Sequence, residues 1–236
     1  MPNPYFSFKQ FTIHHDRCAM KVGTDGVLLG AWADVSAARR ILDIGTGTGL
    51  IALMMAQRNP DARIVGIDID REAVGQAREN IADSPWQDRV EAALQDIRTY
   101  QPSMPFDVIV SNPPYFVNSL KCPDGRRNTA RHTDSLDFEG LADSVSRLLS
   151  SQGTFSVIIP TDGMEDFLVS ASPRGLHLSR RTWVHTKPEA FPKRVLLAFS
   201  RSAEKDCVES HLVIELSRHV YSEEYTALTR DFYLKM

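Results

Sequence analysis

The sequence predicts an α/β protein built on a doubly wound, mostly parallel sheet with an antiparallel edge. Three observations predict it. From Arg40 onward, short apolar strands alternate with amphipathic helical stretches, the pattern of βαβ units whose parallel sheet is covered on both faces. A glycine-rich turn, Gly45 to Gly49, sits where the first of these strands meets the first helix. The last three apolar segments follow one another without helices between them, so the sheet is expected to end in an antiparallel edge.

Ile41 to Ile44 is the first strand, and Leu50, Ile51, Leu53 and Met54 fall at helical spacing up to the breaker Asn59-Pro60. Arg63 to Ile67 is a second strand. Ala73, Val74, Ala77 and Ile81 line one face of a helix that stops before Ser84-Pro85. Arg89 to Leu94 and Phe106 to Val110 are the third and fourth strands, and a long loop runs from Asn112 to Asp137. A helix over Phe138 to Leu149, a fifth strand over Thr154 to Ile159 and a helix over Asp162 to Ala171 follow. The final segments are strands at Leu176 to His185, Arg194 to Ser200 and His211 to Leu216, then a closing helix over Tyr225 to Leu234. Residues 1–40 form a lead-in of mixed character. The whole reads as a single domain, with a ligand-binding core over 41–160 and edge strands plus closing helix over 161–236.

At 236 residues the chain is long enough for one well-buried α/β domain. With 42% hydrophobic and 24% charged residues, its composition is that of a globular protein rather than a disordered one. No apolar run approaches the ~20 residues needed to span a bilayer. Met1 to Gln10 has no basic stretch followed by an apolar core, so no secretory leader is expected. The three cysteines, Cys18, Cys122 and Cys207, are scattered and odd in number, which fits a reducing cytoplasm rather than a disulfide framework. His14, His15 and Cys18 lie close in sequence but lack the fourth ligand and CxxC-type spacing of a zinc site, so no metal is expected. A net charge of −3 argues mildly against nucleic acid as a partner, although a local basic patch is enough to bind phosphates.

The turn reads Asp43-Ile44-Gly45-Thr46-Gly47-Thr48-Gly49. A dinucleotide fingerprint G-x-G-x-x-G would need glycine at position 50, where Leu50 stands. The spacing is G-x-G-x-G with an acid two residues ahead. A pyrophosphate favours positive potential at a helix start; an aspartate beside the glycines suits a ligand carrying an amino group or a sulfonium. The second strand ends Asp68-Ile69-Asp70. Asp68 is placed to accept both hydroxyls of a ribose, and Asp70 reads as the N-cap of the next helix. Gln95-Asp96-Ile97 follows the third strand, where Asp96 can accept from an adenine amino group and Ile97 can offer its N–H to the ring. Each aspartate taken alone reads equally well as a turn or a cap; their joint placement at successive strand ends favours a ligand site.

The fourth strand runs into Asn112-Pro113-Pro114-Tyr115. Two prolines fix φ and remove two donors, so the segment presents mainly acceptors. The Asn112 side-chain oxygen and the Pro113 carbonyl can both take hydrogens from one planar NH₂ group. Such an amine is a poor nucleophile because its lone pair is delocalised. Acceptors on its hydrogens stabilise the positive charge it gains during attack, and Tyr115 can stack on a flat substrate.

Leu42 to Gly49, Asp68, Asp96 and Asn112 to Tyr115 resemble the class I methyltransferases that modify amino groups. The resemblance implies a Rossmann-like, seven-stranded sheet with an antiparallel pair at one edge and S-adenosylmethionine as cofactor. A longer resemblance covers nearly the whole chain. Gln10-Phe11, His15, Lys21 to Trp32, Ser84-Pro85-Trp86, Phe116 to Lys121, Arg131-His132-Thr133 and Asp231 to Leu234 are similar to one bacterial group, the tRNA1(Val) adenine-37 N6-methyltransferases. It implies transfer of a methyl group to N6 of adenine 37 in a tRNA anticodon loop. The implied cofactor residues are Lys21, Thr24, Asp43, Gly45, Thr46, Gly47, Gly49, Asp68, Ile69, Asp96, Ile97 and Asn112, with Lys21 and Thr24 near the methionine end. Asn112, Pro113, Pro114 and Tyr115 are the implied holders of the target nitrogen.

RNA contact must then be local. Lys121, Arg126, Arg127, Arg131 and His132 crowd the loop after Tyr115, and Lys187, Lys193 and Arg194 sit between two late strands. With the aromatics Phe116, Trp183 and Phe191 they suit a splayed anticodon loop read as single strand, though each cluster also reads as a solvated charged loop. Release-factor glutamine N5-methyltransferases and ribosomal-RNA guanine N2-methyltransferases share a similar tetrapeptide and stay open as alternatives. The former carry a substantial helical domain ahead of the sheet, and fewer than 40 residues precede Arg40 here. A non-catalytic cofactor-binding module is disfavoured by the intact acceptor set at Asn112 and Pro113.

Overall fold

A computed structural model describes residues 3–18, 21–114, 136–203 and 206–235. Tyr115, Phe116, Lys121, Arg126, Arg127, Arg131 and His132 lie outside the described residues.

The sheet is built from β3 (Arg40–Ile44), β4 (Arg63–Asp68), β5 (Val90–Leu94), β6 (Phe106–Ser111), β7 (Leu149–Pro160), β8 (His177–His185), β9 (Arg194–Ser200) and β10 (Val208–Val213), in the spatial order β10-β8-β9-β7-β6-β3-β4-β5. All neighbours pair in parallel except β9, which runs antiparallel to both β7 and β8. The mostly parallel, doubly wound sheet expected from the sequence is therefore present, with two corrections. Among the described residues eight strands are hydrogen-bonded into the sheet, rather than the seven the resemblance implies. The antiparallel strand also lies two places inside the edge, because β9 inserts between β7 and β8. β10 then starts on the rim where β9 ends, so a short connection past the start of β8 lets it pair parallel with β8.

Side chains alternate across the strands, and each face packs its own core. Ile41, Ile64, Val90, Val108, Val110 and Ile158 pack with α1 (Thr24–Trp32), α2 (Leu50–Arg58) and α3 (Arg71–Ala82). Leu42, Ile67, Ile109, Phe155, Val157 and Phe199 pack with α4 (Phe138–Leu148) and α5 (Met164–Ala171). Adjacent strand residues facing opposite cores are what a sheet covered on both sides requires.

The lead-in is more ordered than its mixed sequence suggests. Strands β1 (Tyr5–Ser7) and β2 (Thr12–His14) form a hairpin, and α1 follows. Every residue of α1 from Gly26 to Trp32 is buried. A helix enclosed all round carries no amphipathic stripe to read. Gly26 and Gly30 let α1 lie against α2: a Cβ on Gly30 would come within 2.7 Å of Met54 Sδ, and one on Gly26 within 3.1 Å of Leu50 Cδ2. The far end of α1 is fixed to β8, where Trp32 Nε1 donates to Thr182 Oγ1 at 3.0 Å and the Arg180 guanidinium lies 3.6 Å from the Trp32 ring centre.

The closing helix is shorter than expected. α6 (Glu223–Thr229) starts from Ser222, whose hydroxyl oxygen accepts from the Tyr225 N–H at 3.0 Å. The chain then turns at Phe232 and runs back to the hairpin: Lys9 N–H donates to Phe232 C=O at 2.8 Å and Phe8 bridges to Tyr233. The last sheet strand is displaced from His211–Leu216 to Val208–Val213, because the exposed polar residues Glu209, Ser210 and His211 suit an edge strand. Glu215–Ser217 belongs to a separate hairpin, β11, paired with β12 (Val220–Tyr221).

Candidate active site

The strand order reverses between β3 and β6: β4 and β5 extend one side, β6 and β7 the other. A doubly wound sheet opens a crevice at the carboxyl ends of such a pair. Here the pair ends Ile44 opposite Ser111, stitched by Ser111 Oγ donating to Ile44 C=O at 3.0 Å. The glycine turn leaves β3 on one side of the crevice, and Asn112-Pro113-Pro114 leaves β6 on the other.

The turn is held from below. Gly45, Gly47 and Gly49 have φ of 71°, 54° and 81°, the left-handed region that glycine enters without steric cost. A Cβ on Gly45 or Gly47 would meet nothing within 4 Å. The space above them is open, a cradle where a ligand can approach the backbone closely. Thr46 points the other way. Its Oγ1 donates to Asp43 Oδ2 at 2.7 Å, and it lies over Gly66, where a Cβ would stand 2.5 Å from Thr46 Oγ1. Asp43 is fully enclosed, and burial pushes its carboxyl up to about 7. The Thr46 hydroxyl opposes that shift, as does the Ala52 amide more weakly and outside good hydrogen-bond geometry. Asp43 thus braces the turn from beneath.

Asp68 lies at the end of β4, half-buried. Its Oδ2 accepts from Gly47 N–H at 3.0 Å and its Oδ1 from Asp70 N–H at 3.0 Å. Each oxygen keeps a further lone pair, so the carboxylate is oriented and still able to accept. Asp70 caps α3, accepting from Glu72 N–H at 2.9 Å, as its sequence position suggests. Ile69 between them is 61% exposed, an apolar side chain standing at the crevice mouth.

Asp96 follows β5 and sits one connection away, since Gln95 N–H donates to Asp68 C=O at 3.0 Å. Its carboxylate is already engaged. Arg98 Nε reaches Oδ1 and Oδ2 at 3.0 Å each, and Nη2 reaches Oδ2 at 2.6 Å. These contacts, led by the side-chain hydrogen bonds, hold its pKa below the usual carboxylate range. Nothing in the spacing singles out Arg98. Ile97 is buried in the core, and Arg147 of α4 donates to its carbonyl at 2.8 Å.

Asn112 is half-buried, Pro113 buried and Pro114 exposed. A Cβ on Gly26 of α1 would lie 4.0 Å from Asn112 Nδ2, so α1 forms a wall beside this amide. Thr24 is exposed in the first turn of α1, and Lys21 is exposed in the approach to it. Arg194, expected on an RNA surface, instead pairs with Asp25 of α1, Nε to Oδ2 at 2.8 Å. Its charge is committed to bracing α1 against the start of β9. Lys187 and Lys193 stand exposed in the β8–β9 loop on the same rim. Trp183 is also committed: its Nε1 donates to Glu209 Oε1 at 2.6 Å and Arg181 lies over its ring at 5.0 Å.

One residue beyond the expected set ties the lead-in to the turn. Asn80 of α3 donates to Thr48 C=O and His14 C=O, each at 2.9 Å, and accepts from His14 N–H at 2.9 Å. Cys18 lies close enough to Asp68 and Asp70 that their charges, after burial, help raise its thiol pKa to about 11. The signal for Asn80 was present: a polar amide in the apolar stripe Ala73, Val74, Ala77, Ile81. Among the described residues no three His, Cys, Asp or Glu side chains gather as a metal site, and no helix is long and apolar enough to cross a membrane.

The arrangement is shared with known proteins. A model of the methyltransferase small domain matches residues 20–124. Among solved structures, a predicted O-methyltransferase from Agrobacterium tumefaciens superimposes with TM-score 0.71 at 20% identity, over 88% of this chain and 96% of that one. A glycopeptide N-methyltransferase complexed with S-adenosylmethionine gives TM-score 0.55 at 13% identity, over 76% and 88%. Fold, switch-point crevice and glycine cradle together define a class I S-adenosylmethionine-dependent methyltransferase. Full-length relatives narrow the class. A tRNA1(Val) (adenine(37)-N6)-methyltransferase of Phocaeicola vulgatus is 69% identical over 100% of both chains. Those of Bacteroides thetaiotaomicron and Aeromonas hydrophila are 57% and 48% identical, over 100% and 99% of both chains. The chain belongs to this tRNA1(Val) (adenine(37)-N6)-methyltransferase family.

Proposed function

We propose that the protein methylates N6 of adenine 37 in the anticodon loop of tRNA1(Val), with S-adenosylmethionine as donor, in the cytoplasm. The observation that carries this reading is the placement of Asn112 and Pro113 directly after β6, across the switch point from the open space above Gly45 and Gly47. The residues present fit the cofactor. Asp68, oriented by two N–H groups, takes the ribose hydroxyls, with Ile69 beside it; Asp96, shared with Arg98, and the Ile97 amide take the adenine. Gly45, Gly47 and Gly49 let the backbone approach, braced by Asp43 and Thr46. Lys21 and Thr24 serve the methionine end. When bound, S-adenosylmethionine supplies an electrophilic methyl group on a sulfonium sulfur.

Asn112 and the Pro113 carbonyl accept the two hydrogens of the target amino group and fix the nitrogen's direction of attack. They also stabilise the positive charge that nitrogen gains, so the proton is acidic enough to leave to water without a strong base. Pro114 stiffens the segment, and Tyr115 stacks on the base, offsetting the cost of taking it out of its stack. Lys187, Lys193 and the basic loop of Lys121, Arg126, Arg127, Arg131 and His132 contact phosphates.

Mass spectrometry of nuclease-digested tRNA after incubation with protein and labelled S-adenosylmethionine tests the reading. N6-methyladenosine at position 37 is expected. Label in release-factor glutamine or in guanine, with none in tRNA, would overturn it.

A further inference from the structure

Phe191 is 91% exposed, the most exposed large apolar side chain among the described residues. A single exposed apolar side chain needs no explanation by itself, but this one stands on an unusually well-held backbone. On one side, Ala190 N–H donates to Lys187 C=O at 3.1 Å, and His185 Nδ1 pairs with Ala190 C=O at 2.7 Å. On the other, Thr161 Oγ1 donates to Pro192 C=O at 2.8 Å, and Lys193 N–H donates to Val184 C=O at 3.2 Å. Pro192 restricts Phe191 itself to extended backbone. The ring stands on a clamped turn at the carboxyl rim.

The turn is also coupled to the catalytic wall. Arg194, three residues on, pairs with Asp25, and the next residue of α1, Gly26, lies against Asn112. Phe191 is therefore one brace away from the amide that grips the target amine. Its exposed charged neighbours are Lys187 and Lys193, with Glu189 the opposing charge. An aromatic face between two cations matches a nucleobase with phosphates on either side. It matches an acidic or apolar protein surface less well, since that would not call for a lone ring.

We propose that Phe191 is a fixed stacking platform for an unpaired base adjacent to the target adenosine. It positions the single strand while Asn112 and Tyr115 act on the target base. The proposal rests on the RNA reading above and adds where the flanking nucleotide goes. Stacking on a preset ring costs little ordering entropy and tolerates any base.

The test compares wild type, Phe191→Ala and Phe191→Trp in the full-length protein, with unmodified tRNA and with an anticodon stem-loop carrying an abasic nucleotide on either side of the target adenosine. Phe191→Ala is expected to raise the KM for RNA roughly 5- to 100-fold, leaving S-adenosylmethionine affinity by calorimetry unchanged, and Phe191→Trp to restore it. Wild type should lose a similar factor on one abasic hairpin, and Phe191→Ala should lose almost nothing further there. An unchanged KM in Phe191→Ala, with wild type methylating tRNA normally, overturns the platform and leaves the ring to a protein partner. Full additivity between the variant and the abasic site also overturns it. No methylation of tRNA by wild type would instead overturn the RNA reading, and the platform with it.

Discussion

The two sides of the crevice are built differently. On the β3–β4–β5 side, each expected cofactor carboxylate has its own hydrogen-bond donor: Asp43 has Thr46, Asp68 has Gly47 and Asp70, and Asp96 has Arg98, while Asn80 straps the turn. On the β6 to β9 side, the groups stand on connections between strands and are braced from other elements, Arg194 by Asp25 of α1 and Pro192 by Thr161. One side is suited to a small constant ligand whose shape never varies. The other is suited to a large polyanion that must be admitted, gripped and released. In the proposed reading the first side holds the donor and the second selects the acceptor, the division a transferase needs.

The largest expected effect is at the join. If Asn112 accepts from the target amine as proposed, Asn112→Ala removes an acceptor aimed at developing charge and is expected to lower kcat by about 10²–10³-fold. Cofactor affinity should fall far less than kcat: Asn112 is also among the implied cofactor residues, but in the proposed reading its main role is toward the acceptor amine. Calorimetric titration beside single-turnover rates decides this; equal losses in both would erase the division between the two sides.

The donor side makes its own strong prediction. Asn80→Leu preserves bulk but strands Thr48 C=O and both backbone groups of His14. Orphaned buried polar groups cost about 1–3 kcal/mol each, so roughly 3 kcal/mol of stability should be lost, seen as a lower Tm. Cofactor affinity should fall with it, since the turn loses its anchor. A variant that melts lower yet binds donor at wild-type affinity would show that the turn holds its shape without the strap.

The contrast also explains what could be read in the sequence. The glycine turn and the Asp70 cap are legible because their geometry is set within a few residues, and Asp68 is legible because parallel βαβ order places the end of β4 beside the turn after β3. Asp96 was placed, but its engagement by Arg98 depends on a side-chain rotamer that no spacing encodes. The all-round burial of α1 concealed it, and its role as the wall beside Asn112 follows only from the close approach that Gly26 and Gly30 permit. Arg194 reads as a surface cation because its partner Asp25 lies 169 residues away. The insertion of β9 between β7 and β8 was unreadable for the same reason: strand order is decided by pairing across the fold, and adjacency in sequence says little about it.

A pH titration probes the brace under the turn. The Asp43 carboxyl is raised from 3.8 to about 7. Between those values the unfolded chain has lost this proton and the folded chain keeps it, so the folded state binds more protons and rising pH destabilises it. The contribution is complete below about pH 4 and is lost as pH rises through 7, by up to about 1.4 kcal/mol per pH unit. Asp43→Asn keeps an acceptor for Thr46 and should remove that slope, making the variant relatively more stable at pH 8 than at pH 5. Denaturant midpoints at both values measure it. Parallel pH profiles for variant and wild type would mean that Asp43 is neutral in neither state and the turn is braced by charge.

The smallest expected effect separates two cations that look alike in sequence. Lys187→Glu or Lys193→Glu should weaken tRNA binding modestly and similarly for any RNA sequence, and each should lower the salt slope by about 1. Arg194→Glu should act differently. It places a carboxylate against Asp25, so like charges now meet where a brace stood, and α1 is pushed from the wall beside Asn112. Its damage should therefore appear in kcat and thermal stability, with a salt slope closer to that of wild type. Filter-binding across a salt series, set beside turnover, distinguishes the two. If Arg194→Glu instead moves the slope as far as the lysine variants do and leaves kcat alone, Arg194 lets go of Asp25 when RNA arrives. The acceptor side would then extend one residue further into the fold than its contacts suggest.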